Sequence, residues 1–429
     1  MRLPGTALIA LLALALPARA GDAGRLLYDG LAGAPGAALI GSNRVEASRF
    51  PCRGCHGRDG GGGTEGDAPA ITWEALSRST ALRPAYDAEA FARALSEGRS
   101  PAGRALSRQM PRYDLDGETL AALIGYLSDL PRLQRRGILP DRIVLAVPVP
   151  PDAPETSRAL AGALARAFDA RLPPSGLHGR RIEIRAETDL ARIGDEAATI
   201  LGFRSTPGLP LDAVARLGTP LLFPLSPVSE DMDPTLVRSL LASREDAIRA
   251  LARRAAGLPG PLAVLADDPA EMGIVAAELP DRDLHGVSRA ADIPAGMGAV
   301  IALADAAETL LAAMGRMGAD AVLLAELEAI APHRAALEAR NITGIGVYGG
   351  AVLLRARGAQ DTPPLDVYAD VAARIIVEAV AAAGRDLTQA ALIDAIGQVN
   401  IPELSLNFAS GRVSATGETI LVPLTGGGR

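Results

Sequence analysis

Two regimes of hydrophobic spacing divide the chain. After residue 141, short apolar runs recur at 143–149, 182–185, 198–202, 220–223, 262–265, 299–303, 321–324 and 342–347, and helical patterns such as 157–168 separate most of them. Continuous apolar runs between helices predict parallel strands covered on both faces. They are too many for one compact sheet, so two α/β lobes are expected. Before residue 134 the spacing is helical: Leu120, Leu123, Ile124 and Leu127 fall on one face behind Asp116, a good N-cap. Pro131 is expected to stop this helix, whose apolar stripe should pack on a first helix near residues 24–28. The charged, proline-bearing stretch 134–141 reads as a linker.

The first twenty residues have the pattern of a secretory signal. Arg2 supplies the positive end, residues 7–16 an apolar run, and Ala18-Arg19-Ala20 a small-x-small cleavage site, with cleavage expected after Ala20. The run is too short to cross a bilayer comfortably, and no later stretch reaches spanning length without charge. The mature protein is therefore expected in the periplasm, with no membrane span. The 429 residues allow about three units of ordinary domain size. A net charge of -7 argues against a nucleic-acid partner. All basic residues are arginine, so the surface offers bidentate forks and no amine nucleophile.

The densest chemistry lies in Cys52-Arg53-Gly54-Cys55-His56, which also uses both cysteines of the chain. Two thiols two residues apart with a histidine directly after form the attachment pattern of a c-type haem. Each thiol can add across one vinyl group, and the imidazole can swing under the iron. A disulfide would close a redox loop, but nothing around it reads as a thioredoxin-like strand-turn-helix. A zinc site would need further soft ligands, and neither a third cysteine nor a paired histidine is available. Met110-Pro111 is the second signal: Met110 is the one methionine between the motif and Met232, in a polar Gly/Pro-rich loop just ahead of a helix. A thioether is a neutral, soft ligand suited to a His/Met haem.

With these motifs, residues 21–133 resemble the class I cytochrome c family. The resemblance implies an all-α domain in which Cys52 and Cys55 hold one haem c covalently. His56 and Met110 would be the axial ligands of its iron, and a helix carrying Tyr126 would close the fold. Gly57 and residues 60–63 fit the loop after the haem histidine. About twenty residues (31–50) stand between the first-helix signal and Cys52, where the family has only a few. Trp73 is expected to pack on haem or core.

Residues 142–429 look like the type I periplasmic solute-binding proteins of the branched-chain amino-acid class. The likeness rests on Ile200-Leu201-Gly202-Phe203-Arg204-Ser205 and on Thr219-Pro220-Leu221-Leu222-Phe223-Pro224-Leu225-Ser226. It rests also on residues 368–396, with a late long helix, the turn 384–388 and another helix. Such proteins hold a small anion or zwitterion between two hinged lobes. The matching first-lobe positions are Ser205, Thr206, Ser226 and Ser229; in the second lobe, Asp305 or Glu308 would pair with an ammonium. Each serine also fits a cap or turn, and Glu308 also fits a solvated helix face. Where the family often has Tyr-Gly after a second-lobe strand, this chain has Met272-Gly273.

Residues 344–349 spell GxGxxG, but a strand is expected to run through the glycines, which is not the context of a dinucleotide site. There is no Gly-x-Ser-x-Gly, and His178, His285 and His333 have no nucleophile patterned beside them. The expected function is single-electron transfer by a periplasmic cytochrome, with a second domain that senses or binds a small polar solute. Such a protein is an electron carrier rather than an enzyme, and its partner would be a periplasmic redox protein such as a dehydrogenase. The alternative is the substrate-binding protein of an ABC-type transporter, docking to its permease, with an accessory haem domain.

Overall fold

The computed structural model describes residues 20–41, 43–63, 67–303, 307–357 and 362–425. Residues 1–19 of the expected signal, and Asp305, lie outside them. The chain divides into two compact units, residues 1–134 and 135–429.

In the first unit, α1 (Ala20–Asp29) crosses α5 (Gly117–Leu133) at Gly24, where an added Cβ would lie 2.2 Å from the Ala122 carbonyl oxygen. Only a hydrogen side chain lets the two backbones come this close. Between these helices lie β1 (Ala37–Ile40), β2 (Asn43–Glu46), α2 (Cys52–His56), α3 (Trp73–Leu76), α4 (Ala88–Ser96) and β3 (Arg112–Asp114). Asp116 caps α5 by accepting from the Thr119 amide, and Leu123, Leu127 and Leu130 are buried. The helix does not stop at Pro131 but runs to Leu133. Proline near a helix end removes one bond while keeping a helical φ, and the Gln134 amide still reaches the Leu130 carbonyl at 2.9 Å.

The unit is not all-α. Strands β2, β1 and β3 form an antiparallel sheet with β1 at its centre, built from the 31–50 insertion and the segment after Met110. The strands are three or four residues long and β2 is largely exposed. No apolar alternation marks them in sequence. Trp73 packs edge-on against Phe91, their centroids 5.8 Å apart.

The second unit holds two lobes. The first runs through β4 (Arg142–Pro148), α6 (Pro154–Arg171), β5 (Arg181–Glu187), α7 (Leu190–Glu196), β6 (Thr199–Leu201), α8 (Leu211–Ala215), β7 (Leu221–Leu222) and β8 (Val237–Arg238). Its sheet is fully parallel, in the order β5-β4-β6-β7-β8. The second lobe comprises α9 (Arg244–Ala256), β9 (Leu262–Leu265), α10 (Pro269–Glu278), β10 (Leu284–Val287), β11 (Ala299–Ala302), α11 (Ala307–Arg316), β12 (Val322–Glu326), α12 (Leu327–Ile330), α13 (Arg334–Ala339) and β13 (Thr343–Tyr348). The chain then returns through α14 (Ala351–Arg357), α15 (Pro364–Ala383) and α16 (Gln389–Ile396), and α15 packs on α6 of the first lobe. A small hairpin, β14 (Asn400–Ile401) and β15 (Leu406–Asn407), precedes β16 (Ile420–Pro423), which adds an antiparallel edge to the second sheet, β10-β9-β11-β12-β13-β16.

Three segments thus cross between the lobes, and they run side by side. The Ala242 amide donates to Gly349, Ser239 to Val413, and Ala415 to Ser239, at 2.9–3.0 Å. Residues 135–141 are not a free tether: the Leu139 amide reaches Arg142, Val144 reaches Gly137, and Gly137 sits against the Ala197–Ala198 backbone. Strand β13 does run through the first two GxGxxG glycines, and Gly349 follows its end. Side chains at Gly344 and Gly346 would strike Leu337 and Leu327 on the covering helices, so packing accounts for both. Helix α14 follows β13 directly. Among the described residues no helix is long and apolar enough to cross a membrane.

Candidate functional site

In the first unit Cys52, Cys55 and His56 share one short helix, entered from Pro51 and ended by Gly57 with φ +76°. Three residues of spacing bring the two thiols to one side of a helical turn. His56 is 9% exposed, and its Nδ1 lies 2.7 Å from the Pro69 carbonyl oxygen. A carbonyl can only accept, so Nδ1 carries the hydrogen and Nε2 presents a lone pair. Burial holds the imidazole below its ordinary pKa, while the Pro69 carbonyl pulls weakly the other way. Burial thus favours the neutral ring, the form a metal ligand needs.

The surroundings fix this turn from several sides. The wholly buried Tyr28 donates to the Gly57 carbonyl at 2.6 Å, and its ring lies 5.3 Å from that of Tyr126. The Gly62 amide bonds the His56 carbonyl and Ile71 bonds Gly60, so the glycine run folds back beneath the histidine. Gly62 has φ +83°, and a Cβ there would stand 2.4 Å from the Ala68 carbonyl oxygen, so glycine is required. Burial pushes the Cys52 thiol up to about 12. Met110 is half-buried at the edge of the apolar cluster that also takes in Cys52, Trp73, Leu95 and Tyr113. Among the described residues no group of three or more His, Cys, Asp or Glu side chains is placed to hold a metal ion.

In the second unit the candidate polar residues lie beyond the C-terminal ends of strands, where ligands of open α/β sheets bind. Ser205 and Ser226 come together, the Ser226 hydroxyl accepting from the Ser205 amide at 3.0 Å. Thr206 instead donates to Asp152 at 2.8 Å and accepts from the Leu209 amide, as a turn residue would. Ser229 donates to Glu245 and caps the following turn at the Asp231 amide. Glu308 is exposed in the first turn of α11, apart from these. Met272 lies in α10, its methyl against Gly286.

Charged residues that sequence reasoning missed stand at the same strand ends. Arg204, just after β6, pairs with Glu328 of the second lobe at 3.1 Å, an ion pair that spans the two lobes. Arg244 donates to Glu271 at 2.6 Å, to Glu326 at 2.7 Å and to the Leu303 carbonyl, so it neutralises two carboxylates on one face of the second lobe. A place soon after a strand is the sequence signal that could have singled out Arg204; Arg244 opens α9, six residues beyond β8, and has no such signal. Phe223 takes φ +52°, rare for an aromatic residue, and its carbonyl accepts from the buried Tyr368 hydroxyl. Such strain gathers at ligand loops, and this one leads directly into Pro224–Ser226.

No family model matches the sequence, and no curated protein matches it. The second unit is similar in chain course to solved structures of solute-binding proteins. One is an extracellular ligand-binding receptor from Verminephrobacter eiseniae, with 14% identity, 65% of this chain and 97% of that chain covered, and TM-score 0.46. Another is a fatty acid ABC transporter substrate-binding protein from Thermomonospora curvata, with 12% identity, coverage of 67% and 90%, and TM-score 0.48. A third is a solute-binding protein from R. palustris in complex with benzoate, with 14% identity, coverage of 67% and 94%, and TM-score 0.45.

Proposed function

We propose that this chain is an exported electron carrier with one covalent haem c in its first unit, and that its second unit binds a small polar solute between two hinged lobes. The observation that carries the first part is the His56 Nδ1–Pro69 carbonyl contact at 2.7 Å beside two thiols of the same short helix. That contact orients the ring and leaves Nε2 as the donor, which is the arrangement a metal-bound histidine needs. The donor set fits the group: Cys52 and Cys55 would hold it covalently, and His56 and Met110 would ligate its iron. When bound, haem supplies one-electron redox chemistry at a potential raised by a thioether ligand. The chain's own contribution is to keep His56 neutral and oriented and to enclose it in an apolar, tyrosine-lined surround. A periplasmic redox protein, such as a dehydrogenase, is the partner this role calls for.

The second part rests on two sheets, one parallel and one parallel except for its antiparallel edge strand β16, joined by three adjacent crossing segments, an architecture suited to hinge closure. This architecture also favours a second reading, a transporter's substrate-binding protein docking to its permease, with the haem unit as an accessory. In both readings Ser205 and Ser226 offer polar groups to a carboxylate, while Asp305 and Glu308 remain the proposed partners of an ammonium.

Mass measurement of the exported protein, made in a host able to attach haem, tests the first part. One added haem is expected, lost together with covalent attachment in Cys52→Ala/Cys55→Ala. A bare polypeptide mass from such a host refutes it. Calorimetric titration with amino acids, amides and short carboxylates tests the second part; a binding isotherm whose ligand also shifts the haem potential would favour a coupled sensor over a transport receptor.

A further inference from the structure

The 31–50 insertion lies outside the thiol–histidine motif, and the structure gives its hairpin a specific neighbour. Strand β1 is the central strand of its sheet, paired with β2 on one side and β3 on the other, Ala38 facing both Val45 and Tyr113. Strand β3 begins at Arg112, two residues after Met110. We propose that this hairpin is a clasp that holds the Met110 loop in place, and that Arg112 and Tyr113 are positioning residues for the Met110 thioether. The inference rests on the haem reading above and adds what governs its sixth ligand.

Three observations converge. The residues around Met110 have little regular structure of their own, so their order must come from outside. Arg112 supplies part of it: its guanidinium donates to the Met110 carbonyl, to Ser107 at 3.2 Å and to Leu106 at 3.5 Å, gathering the loop's acceptors around one rigid fork. That fork lies against Gly98, where any side chain would displace it. Tyr113 supplies the rest. It is 5% exposed, and its hydroxyl donates to the Phe50 carbonyl at 2.6 Å, two residues ahead of Cys52. The segment that carries the sixth ligand is thereby tied directly to the segment that carries the covalent bonds. The exposed Arg44–Asp114 pair lies at the rim of the same sheet.

A thioether is a weak, neutral ligand, and its hold on iron depends on how little the loop must be ordered to present it. Loosening the clasp therefore favours any external ligand that competes with Met110. The test uses the full-length exported holo-protein and its Tyr113→Phe and Arg112→Gln variants. Ferric imidazole affinity is read by absorbance, alongside reduction potential, thermal melting and mass. Both variants are expected to keep the haem mass and to bind imidazole more tightly than the parent, Tyr113→Phe about tenfold, the factor set by losing one buried hydrogen bond, and Arg112→Gln at least as much, since its guanidinium makes three. Their methionine-to-iron charge-transfer band should weaken and their potential fall. Tyr113→Phe keeps the ring and decides alone if Arg112→Gln does not fold. Parental imidazole affinity in haem-bearing Tyr113→Phe overturns the clasp even if the melting temperature drops. A parent with attached haem but no methionine band overturns it too, leaving attachment intact. A parent without added mass overturns the haem reading and the clasp together.

Discussion

Removing the cation of Arg244 tests how the strand-end face of the second lobe is held together. The guanidinium bonds Glu271 at 2.6 Å, Glu326 at 2.7 Å and the Leu303 carbonyl, and the three side chains are 20%, 18% and 16% exposed. Arg244→Met preserves much of the stem but leaves two largely buried carboxylates with no guanidinium between them. Breaking a buried ion pair by removing one partner costs about 3–5 kcal/mol. Since roughly a fifth of each side chain meets water, the lower end applies, ~3 kcal/mol. A unit as large as residues 135–429 loses roughly 2 °C per kcal/mol, so its melting transition should fall by ~6 °C. Neutralising the two acids as well, in Arg244→Met/Glu271→Gln/Glu326→Gln, should recover most of that loss, because replacing a whole buried charge set is often near neutral. Urea unfolding at neutral pH, followed by a probe in the second unit, measures both. A single-variant loss below ~1 kcal/mol, or a triple variant no more stable than the single, would refute the reasoning.

Two further predictions concern the other sites. Gly24→Ala should destabilise the first unit by ~3 kcal/mol, the upper end of overpacking, because its Cβ meets the Ala122 backbone and not a side chain that could rotate away; differential scanning calorimetry with an unmoved first transition would count against it. The Thr206 hydroxyl, followed by the Gly208 amide, holds the Asp152 carboxyl below its ordinary 3.8. A depressed acid stabilises the fold above its ordinary value and loses that contribution as pH falls through the depressed one. The Gly208 amide resonance should therefore shift on acidification below 3.8 and stop doing so in Asp152→Asn; an identical titration in the variant would contradict the assignment.

The parts of the fold that could be read in advance are those governed by neighbours in sequence. The apolar run at 143–149 became β4, the i, i+3, i+4, i+7 stripe behind Asp116 became α5, and the run at 342–347 became β13. Strands β1, β2, β3, β8, β10 and β16 could not be read. They are two to four residues long, and several are half-exposed, so neither alternation nor a continuous apolar run develops. The same limit affected the second-unit site. Of the hydroxyl-bearing residues singled out, Ser205 meets the Ser226 hydroxyl through its backbone amide, while Thr206 and Ser229 serve turns and carboxylates nearby. Cap, turn and ligand contact demand the same residue types, and only the fold distinguishes them.

By itself the sequence determined what is local: a five-residue thiol–histidine pattern, a capped amphipathic helix, and buried runs that can only be covered strands. Tertiary structure decided everything that joins distant residues. It set the Pro69 carbonyl against His56, paired 37–39 with 112–114, and brought Arg204 to Glu328 across 124 positions. The physical reason is that local spacing limits which backbone conformations a segment can adopt. Long-range pairs instead depend on how separate apolar faces bury one another, and no single stretch of the chain encodes that.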